Sequence, residues 1–206
     1  GAVAQTEIRR LLSFHIVSQI GYLVFGIGMF TVAGTAAAIF YLLHYTIVKC
    51  SLFLVGGVSE RLGGANDLKK LGGLAHLSPG LAALFFVAGI SLAGLPPTSG
   101  VFSKFMLLAA GIEAEQYVGV AVGFVAGLLT LYSMMKIWTM AFWGEPVRSR
   151  PRPPGRLQLS AVGLLVSFSL TFAIAAEPVY RYAHATAVQL HDTKSYVAAV
   201  LGEEEP

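Results

Sequence analysis

The chain has 206 residues, of which 12% are charged and 55% hydrophobic, and its mean hydropathy is +0.70. A soluble domain carries about 25% charged residues, so this composition excludes an ordinary water-soluble fold and points to solvation by a membrane. The net charge of +3 is too small and too scattered for a nucleic-acid partner, and the single cysteine, Cys50, excludes an internal disulfide and a multi-cysteine metal site.

Gly1 rather than a methionine opens the sequence, and an apolar run begins almost at once, as expected for a piece of a larger chain. "GAVAQTEIRR" lacks the basic region ahead of a short apolar core that marks a signal peptide. Residues 11–48, 71–103, 116–135 and 157–176 contain no Asp, Glu, Lys or Arg. A membrane-spanning helix needs about 20 mostly apolar residues. The pattern predicts an all-α membrane bundle with spans at about 10–30, 34–58, 78–112, 117–142 and 157–180. Together these form a transmembrane bundle over 1–182, followed by an amphipathic C-terminal tail over 183–206.

The first predicted span carries His15, Ser18, Gln19 and Tyr22 at three- and four-residue steps, which places them in one polar stripe. Two roles fit such a stripe: interhelical hydrogen bonds of about 1 kcal/mol each, or an inner lining for water and protons. In the second span Lys49 lies about ten residues, roughly 15 Å, from the nearer helix end, too deep to reach the surface easily. A lysine at that depth costs about 2.5–3.5 kcal/mol on insertion scales and marks either a functional site or a polar packing cluster. Tyr45 and Tyr41 stand four and eight residues before it and share its face, whereas His44 points about 140° away, toward another helix. Cys50 reads as a small buried apolar residue.

The third span breaks its own pattern. As one straight helix, 79–112 would be about 51 Å long in a hydrocarbon core of about 30 Å. Pro96 and Pro97 lack the N–H that a helix needs, so the span is predicted to be interrupted there, with Pro97 in the first turn of the second half. Lys104 follows about two turns later. A break beside a buried charge resembles a transporter site near the bilayer midplane; a plain proline kink is the other option. Lysine suits proton movement, because desolvation disfavours the charged form of an amine and neighbouring charges then decide whether it holds its proton.

Lys136, beside Trp138 and Trp143, reads as an interfacial anchor, as does Glu177 next to Pro178. His76, His184 and His191 lie at or beyond span edges, with no ligand spacing that calls for a metal. No phosphate-binding loop, nucleophile elbow, zinc or haem signature is present, so no cofactor is expected. Arg9 and Arg10, then Arg61, Lys69 and Lys70, then Arg148, Arg150, Arg152 and Arg156 fall on alternate connections, against Arg181 and Lys194 on the others. This asymmetry predicts cytoplasmic basic loops and an external C-terminus.

"RRLLSFHIVSQIGYLVFGIG" (9–28), "HYTIVKCSLFLVGGVSE" (44–60), "DLKKLGGL" (67–74) and "SLAGLPPTSGVFSKFMLL" (91–108), in this order and spacing, resemble the antiporter-like membrane subunits shared by Mrp-type cation/proton antiporters and respiratory complex I. Within that family "SFHIVSQIGY" and "SYVAAVLG" look most like the MrpD (MnhD) type. The resemblance implies a subunit with two inverted five-helix repeats, each with a broken helix, and a last helix; this chain would supply most of the second repeat and that last helix. It implies that Lys49 is the central lysine of the repeat and Lys104 the charged residue of the broken helix. Family members often carry a histidine four residues before the central lysine, where this chain has Tyr45, one step from His44. The implied function is proton conduction in a multisubunit complex that exchanges Na⁺ for H⁺ across the cell membrane. Its partners would be the other subunits, the lipid bilayer, and H⁺ and Na⁺. The implied protein is a secondary transporter subunit rather than an enzyme; a proton-pumping subunit of an NADH:quinone oxidoreductase and a purely structural bundle are the alternatives.

Overall fold

Backbone N–H and C=O groups in an apolar solvent must be bonded within their own segment, so a chain of this composition folds as helices. The computed structural model describes residues 1–145 and 155–201 and is 85% helical. Helix α1 runs Ile8–Gly28 and α2 Val32–Gly63; a short α3, Leu74–Leu77, precedes α4, Pro79–Ala93, and α5, Ser99–Glu113. Then come α6, Tyr117–Ile137, prolonged by a wider turn over Trp138–Phe142, and α7, Arg156–Ile174, α8, Ala176–His191, and α9, Thr193–Leu201. Among the described residues, four helices are long and apolar enough to cross a membrane, ending at Gly28, Gly63, Phe142 and Ile174, and Pro79–Ala93 is a shorter apolar helix.

Helix α2 is the hub. Thr31 caps its start by accepting from the Gly34 N–H at 3.0 Å, and Gly64, with φ of 71°, ends it in the left-handed conformation that favours glycine. Helices α1, α4, α5, α7 and α8 all pack on it. Over its most apolar stretch 56% of residues are buried, against 17% for α6, which sits at the edge against α4, α5 and α1. An aromatic stack of Phe85 on Phe142, 4.7 Å between centroids, with Trp138 beside it, joins α4 to the end of α6.

The third predicted span is two 15-residue half-helices, each about 22 Å long. The first stops at Gly94, φ 87°, whose N–H and that of Leu95 both reach back to the Ile90 carbonyl at 3.0 Å. Pro97 lies outside the second half, contrary to its expected place in the first turn: Thr98 is the N-cap and Ser99 the first helical residue. The last predicted span also divides. α7 ends at Ile174 because residue 178 is a proline, which has no N–H to offer the Ile174 carbonyl. The 182/183 division between bundle and tail therefore falls inside α8, which packs on α2 through Ala183 and Ala187 and is tied to it by Thr35 Oγ1 and His191 Nε2 at 3.0 Å. The Arg148, Arg150 and Arg152 cluster, the acidic end Glu203 to Glu205, and the side chains of Tyr196 and Leu201 lie outside the described residues.

One further expectation is corrected, and two residues read as interfacial are given partners. Cys50 is exposed rather than buried, because it occupies an outward position of α2 next to inward Lys49. Lys136 does not reach outward from its helix; its Nζ donates to the Val3 and Gln5 carbonyls, each at 2.8 Å, and fastens the N-terminal segment to α6. Glu177 is exposed and forms an i,i+4 ion pair with Arg181 at 2.5 Å.

Candidate proton-conducting site

Two prolines and one lysine form a single device. In an unbroken helix the carbonyls of Leu92 and Ala93 would accept from the N–H groups of residues 96 and 97, and proline has none at either place. Lys104 supplies the missing donor: its Nζ bonds the Ala93 carbonyl at 2.9 Å across the break. The ammonium also lies over the Tyr22 ring, 5.4 Å from the centroid, and the residue is 8% exposed. The two half-helices approach closely where this happens. A Cβ on Gly100 would overlap the Ser91 carbonyl, and one on Gly94 would meet Lys104 Cδ at 2.7 Å.

Lys49, 5% exposed, is held in the same manner. Its Nζ donates to the Leu12 carbonyl of α1 at 2.6 Å and lies 5.4 Å from the centre of the Phe53 ring. The ion pairs among the described residues, Arg9 with Glu60 and Arg181 with Glu177, involve neither lysine. Each ammonium is thus met by a carbonyl dipole and a ring face rather than by a carboxylate, and its charge is not cancelled locally.

Between the two lysines lies the polar stripe of α1. Tyr22 stacks on Tyr41, 5.4 Å between centroids, and its hydroxyl donates to the Gly123 carbonyl of α6. Tyr41 donates to Gln19 Oε1, and the Gln19 amide donates to Ser18 Oγ and Thr130 Oγ1, both at 3.3 Å. Ser18 donates to the His15 carbonyl at 3.1 Å. His15 is buried, and neither ring nitrogen has a hydrogen-bond partner. It lines a cavity of about 280 Å³ between α1 and α6, with Ser18, Thr130 and Ser133. A second cavity of about 180 Å³ continues along the same seam past Tyr22 and Gly123. Water occupies about 30 Å³ per molecule in the liquid, so both spaces have room for several.

The structure brings Lys49, His15, Gln19, Tyr22 and Lys104 to the interior where α1, α2, α5 and α6 meet, with Ser18 half-buried beside them. Tyr45 joins only by stacking on Tyr41 at 6.2 Å. His44 stands apart from Lys49: its Nδ1 pairs with Ser99 Oγ of α5 at 2.8 Å, while Lys49 reaches α1. Thr130 and Ser99 escape a sequence reading because a serine or threonine in a membrane helix commonly bonds its own backbone, and Thr130 indeed also donates to the Ala126 carbonyl. Among the described residues no group of three or more His, Cys, Asp or Glu is placed to hold a metal ion.

Residues 1–130 match the family described as "NADH:quinone oxidoreductase/Mrp antiporter, TM". The chain is 46% identical over 206 residues to the D-type subunit of the Na(+)/H(+) antiporter of Alkalihalophilus pseudofirmus, a match that covers 98% of this chain and 42% of that protein. It is 34% identical to the protein of the same name from Bacillus subtilis, with 98% and 42% covered. A chain in the structure of the Mrp complex from Dietzia sp. DQ12-45-1b superposes with a TM-score of 0.89 at 36% identity, over 98% of this chain and 46% of that one. The chain therefore spans less than half the length of these relatives. The helical bundle, its interrupted helix and these matches lead to one conclusion: the chain belongs to the NADH:quinone oxidoreductase/Mrp antiporter family of transmembrane subunits.

Proposed function

We propose that the chain is the proton-conducting part of a subunit of a multisubunit Na⁺/H⁺ antiporter in the cell membrane, working with the other subunits of that complex. The observation that carries this is the pair of buried ammonium groups, Lys49 and Lys104, with a line of hydroxyl, amide and imidazole groups between them. Lys104 holds a proton at the break, on an acceptor that the prolines leave open. Lys49 holds one beside α1, and His15, Ser18 and Tyr22, along the α1–α6 seam, supply the protonatable and hydrogen-bonding groups between. Protons pass stepwise, with water bridging the gaps that the side chains leave. Na⁺ as the exchanged ion is carried over from the names of the relatives. The end bearing Arg9, Arg10, Arg61, Lys69 and Lys70 faces the cytoplasm, and the C-terminus faces outside.

In the assembled complex Lys104→Ala abolishes Na⁺-dependent proton exchange in everted membrane vesicles and leaves assembly intact, and Lys49→Ala does the same. Sodium extrusion at the wild-type rate in either variant overturns the assignment of that lysine. A second reading, a proton-pumping membrane subunit of an NADH:quinone oxidoreductase, shares the same family description. Affinity purification of the complex from native membranes separates the two. Small hydrophobic cation-transport subunits support the antiporter; flavin and iron–sulfur proteins in stoichiometric amount support the oxidoreductase.

A further inference from the structure

Four polar side chains from four different helices meet at the break. His44 Nδ1 of α2 is 2.8 Å from Ser99 Oγ of α5, Ser99 Oγ is 3.2 Å from Ser169 Oγ of α7, and Ser169 Oγ is 3.4 Å from Ser91 Oγ of α4. All four residues are buried, the most accessible of them, Ser169, at 4%. Their placement follows the interruption. Ser91 is in the last turn of α4, Ser99 is the first residue of α5, and Ser169 bridges the two from α7. Helix packing alone does not ask for this; an alanine fills the same space with no polar atom to satisfy.

A hydroxyl has one proton to give, so directions along such a line are concerted. When Nδ1 accepts, Ser99 gives its proton to the imidazole, Ser169 donates to Ser99, and Ser91 donates to Ser169. When Nδ1 carries the proton, Ser99 receives it, and each hydroxyl turns the other way. A proton that enters at the imidazole and moves along the line releases one from Ser91, and every hydroxyl ends with the proton count it began with. The release point is two residues before Ala93, whose carbonyl holds Lys104.

We propose that Ser169 is a relay residue that joins His44 to the interrupted helix, so that the hydrogen-bond direction of Ser99, Ser169 and Ser91 follows the proton on the imidazole. This rests on the proton-path function and adds a branch to it, on the face of α2 away from Lys49. Ionisable groups around His44 are few. Tyr41 lies on its own helix, 6.1 Å between ring centroids, and Lys104 on α5 is close enough to act on it electrostatically. α4 has none, the only one of α7, Arg156, is at that helix's far end, and α8 turns its Glu177–Arg181 pair outward. On α1, His15 and Tyr22 belong to the line that leads to Lys49.

The test uses the complete complex in everted vesicles, with Na⁺-dependent proton exchange and complex assembly both measured. Ser169→Ala and Ser169→Cys keep the volume and break the line. Each lowers the exchange rate by about fivefold or more, the rate equivalent of one hydrogen bond. Ser169→Thr, which keeps the hydroxyl, restores it. Joined to His44→Gln, Ser169→Ala causes no further loss, because the two residues act in series. If Ser169→Ala does not assemble, Ser99→Ala breaks the line one bond earlier and is judged on the same terms. A wild-type rate in Ser169→Ala, failure of the threonine variant to recover, or additive losses with His44→Gln overturns the relay. Lys104→Ala measured alongside separates the two levels. A dead Lys104→Ala with a wild-type Ser169→Ala removes the relay alone, whereas an active Lys104→Ala removes the proton path and the branch with it.

Discussion

A positive charge is tolerable at the centre of this bundle because each lysine finds an acceptor in the protein backbone. For Lys104 the acceptor exists only because residue 97 cannot donate, and the stem reaches it only because residue 94 has no side chain. Gly94→Ala therefore acts twice. It places an L-residue at φ 87°, at a cost of about 1–2 kcal/mol, and it drives a methyl group to 2.7 Å from Lys104 Cδ. The variant should lower both the thermal midpoint of the purified complex and its exchange rate. Gly80→Ala is the control, since nothing lies within 4 Å of a Cβ there and the residue stands away from the α1–α6 seam, and it should lower neither. At this scale Lys49, Lys104 and the proline pair are legible from sequence, because charge and missing donors are properties of residue types. Their acceptors are not. The Leu12 and Ala93 carbonyls look like any others, and only the rotation of one helix against its neighbour selects them. The five-residue spacing of His44 and Lys49 does announce that they serve different neighbours, α5 and α1.

Helix by helix, fit is decided where three elements converge. A Cβ on Gly26 of α1 would meet Leu107 of α5 at 2.7 Å, and Ala38 and the Gly34 carbonyl of α2 at 2.9 and 3.0 Å. A branched side chain at that point overpacks the junction, and such insertions cost about 1–3 kcal/mol. Gly26→Val is expected to lower the thermal midpoint of the detergent-solubilised complex, while Gly28→Val, with nothing within 4 Å, leaves it unchanged. Equal effects would show that backbone propensity rather than contact governs this turn of α1. The apolar runs foretell α1, α2 and α6 because length and hydropathy suffice. The division of α7 from α8 hinges on Pro178, whose effect appears four residues earlier at Ile174, inside a run of unbroken hydropathy. Composition averages over such a point; only matching each donor to the carbonyl four residues earlier locates it.

Across the whole molecule the charges sort by end. Arg9 pairs with Glu60 at 2.8 Å, the Ile8 and Leu68 N–H groups bond the Asn66 and Thr6 carbonyls, and Lys136 grips Val3 and Gln5. These ties bring the start of α1, the loop after α2 and the end of α6 to one end, and with them Arg10, Arg61, Lys69 and Lys70. The connection between α5 and α6 lies at the other end, with Glu113 and Glu115 exposed. Basic residues are retained on the cytoplasmic side, so Lys69 should face the cytoplasm and Glu113 the exterior. Single-cysteine labelling in the complete complex tests this, on a Cys50→Ala background that removes the exposed native thiol. A membrane-impermeant maleimide added to intact cells should label Glu113→Cys and spare Lys69→Cys, and everted vesicles should reverse the result. The opposite pattern would invert the orientation and with it the direction of the proposed proton path. Labelling of both positions from one side would break the antiparallel order of α1 to α6 on which the α1–α6 seam depends.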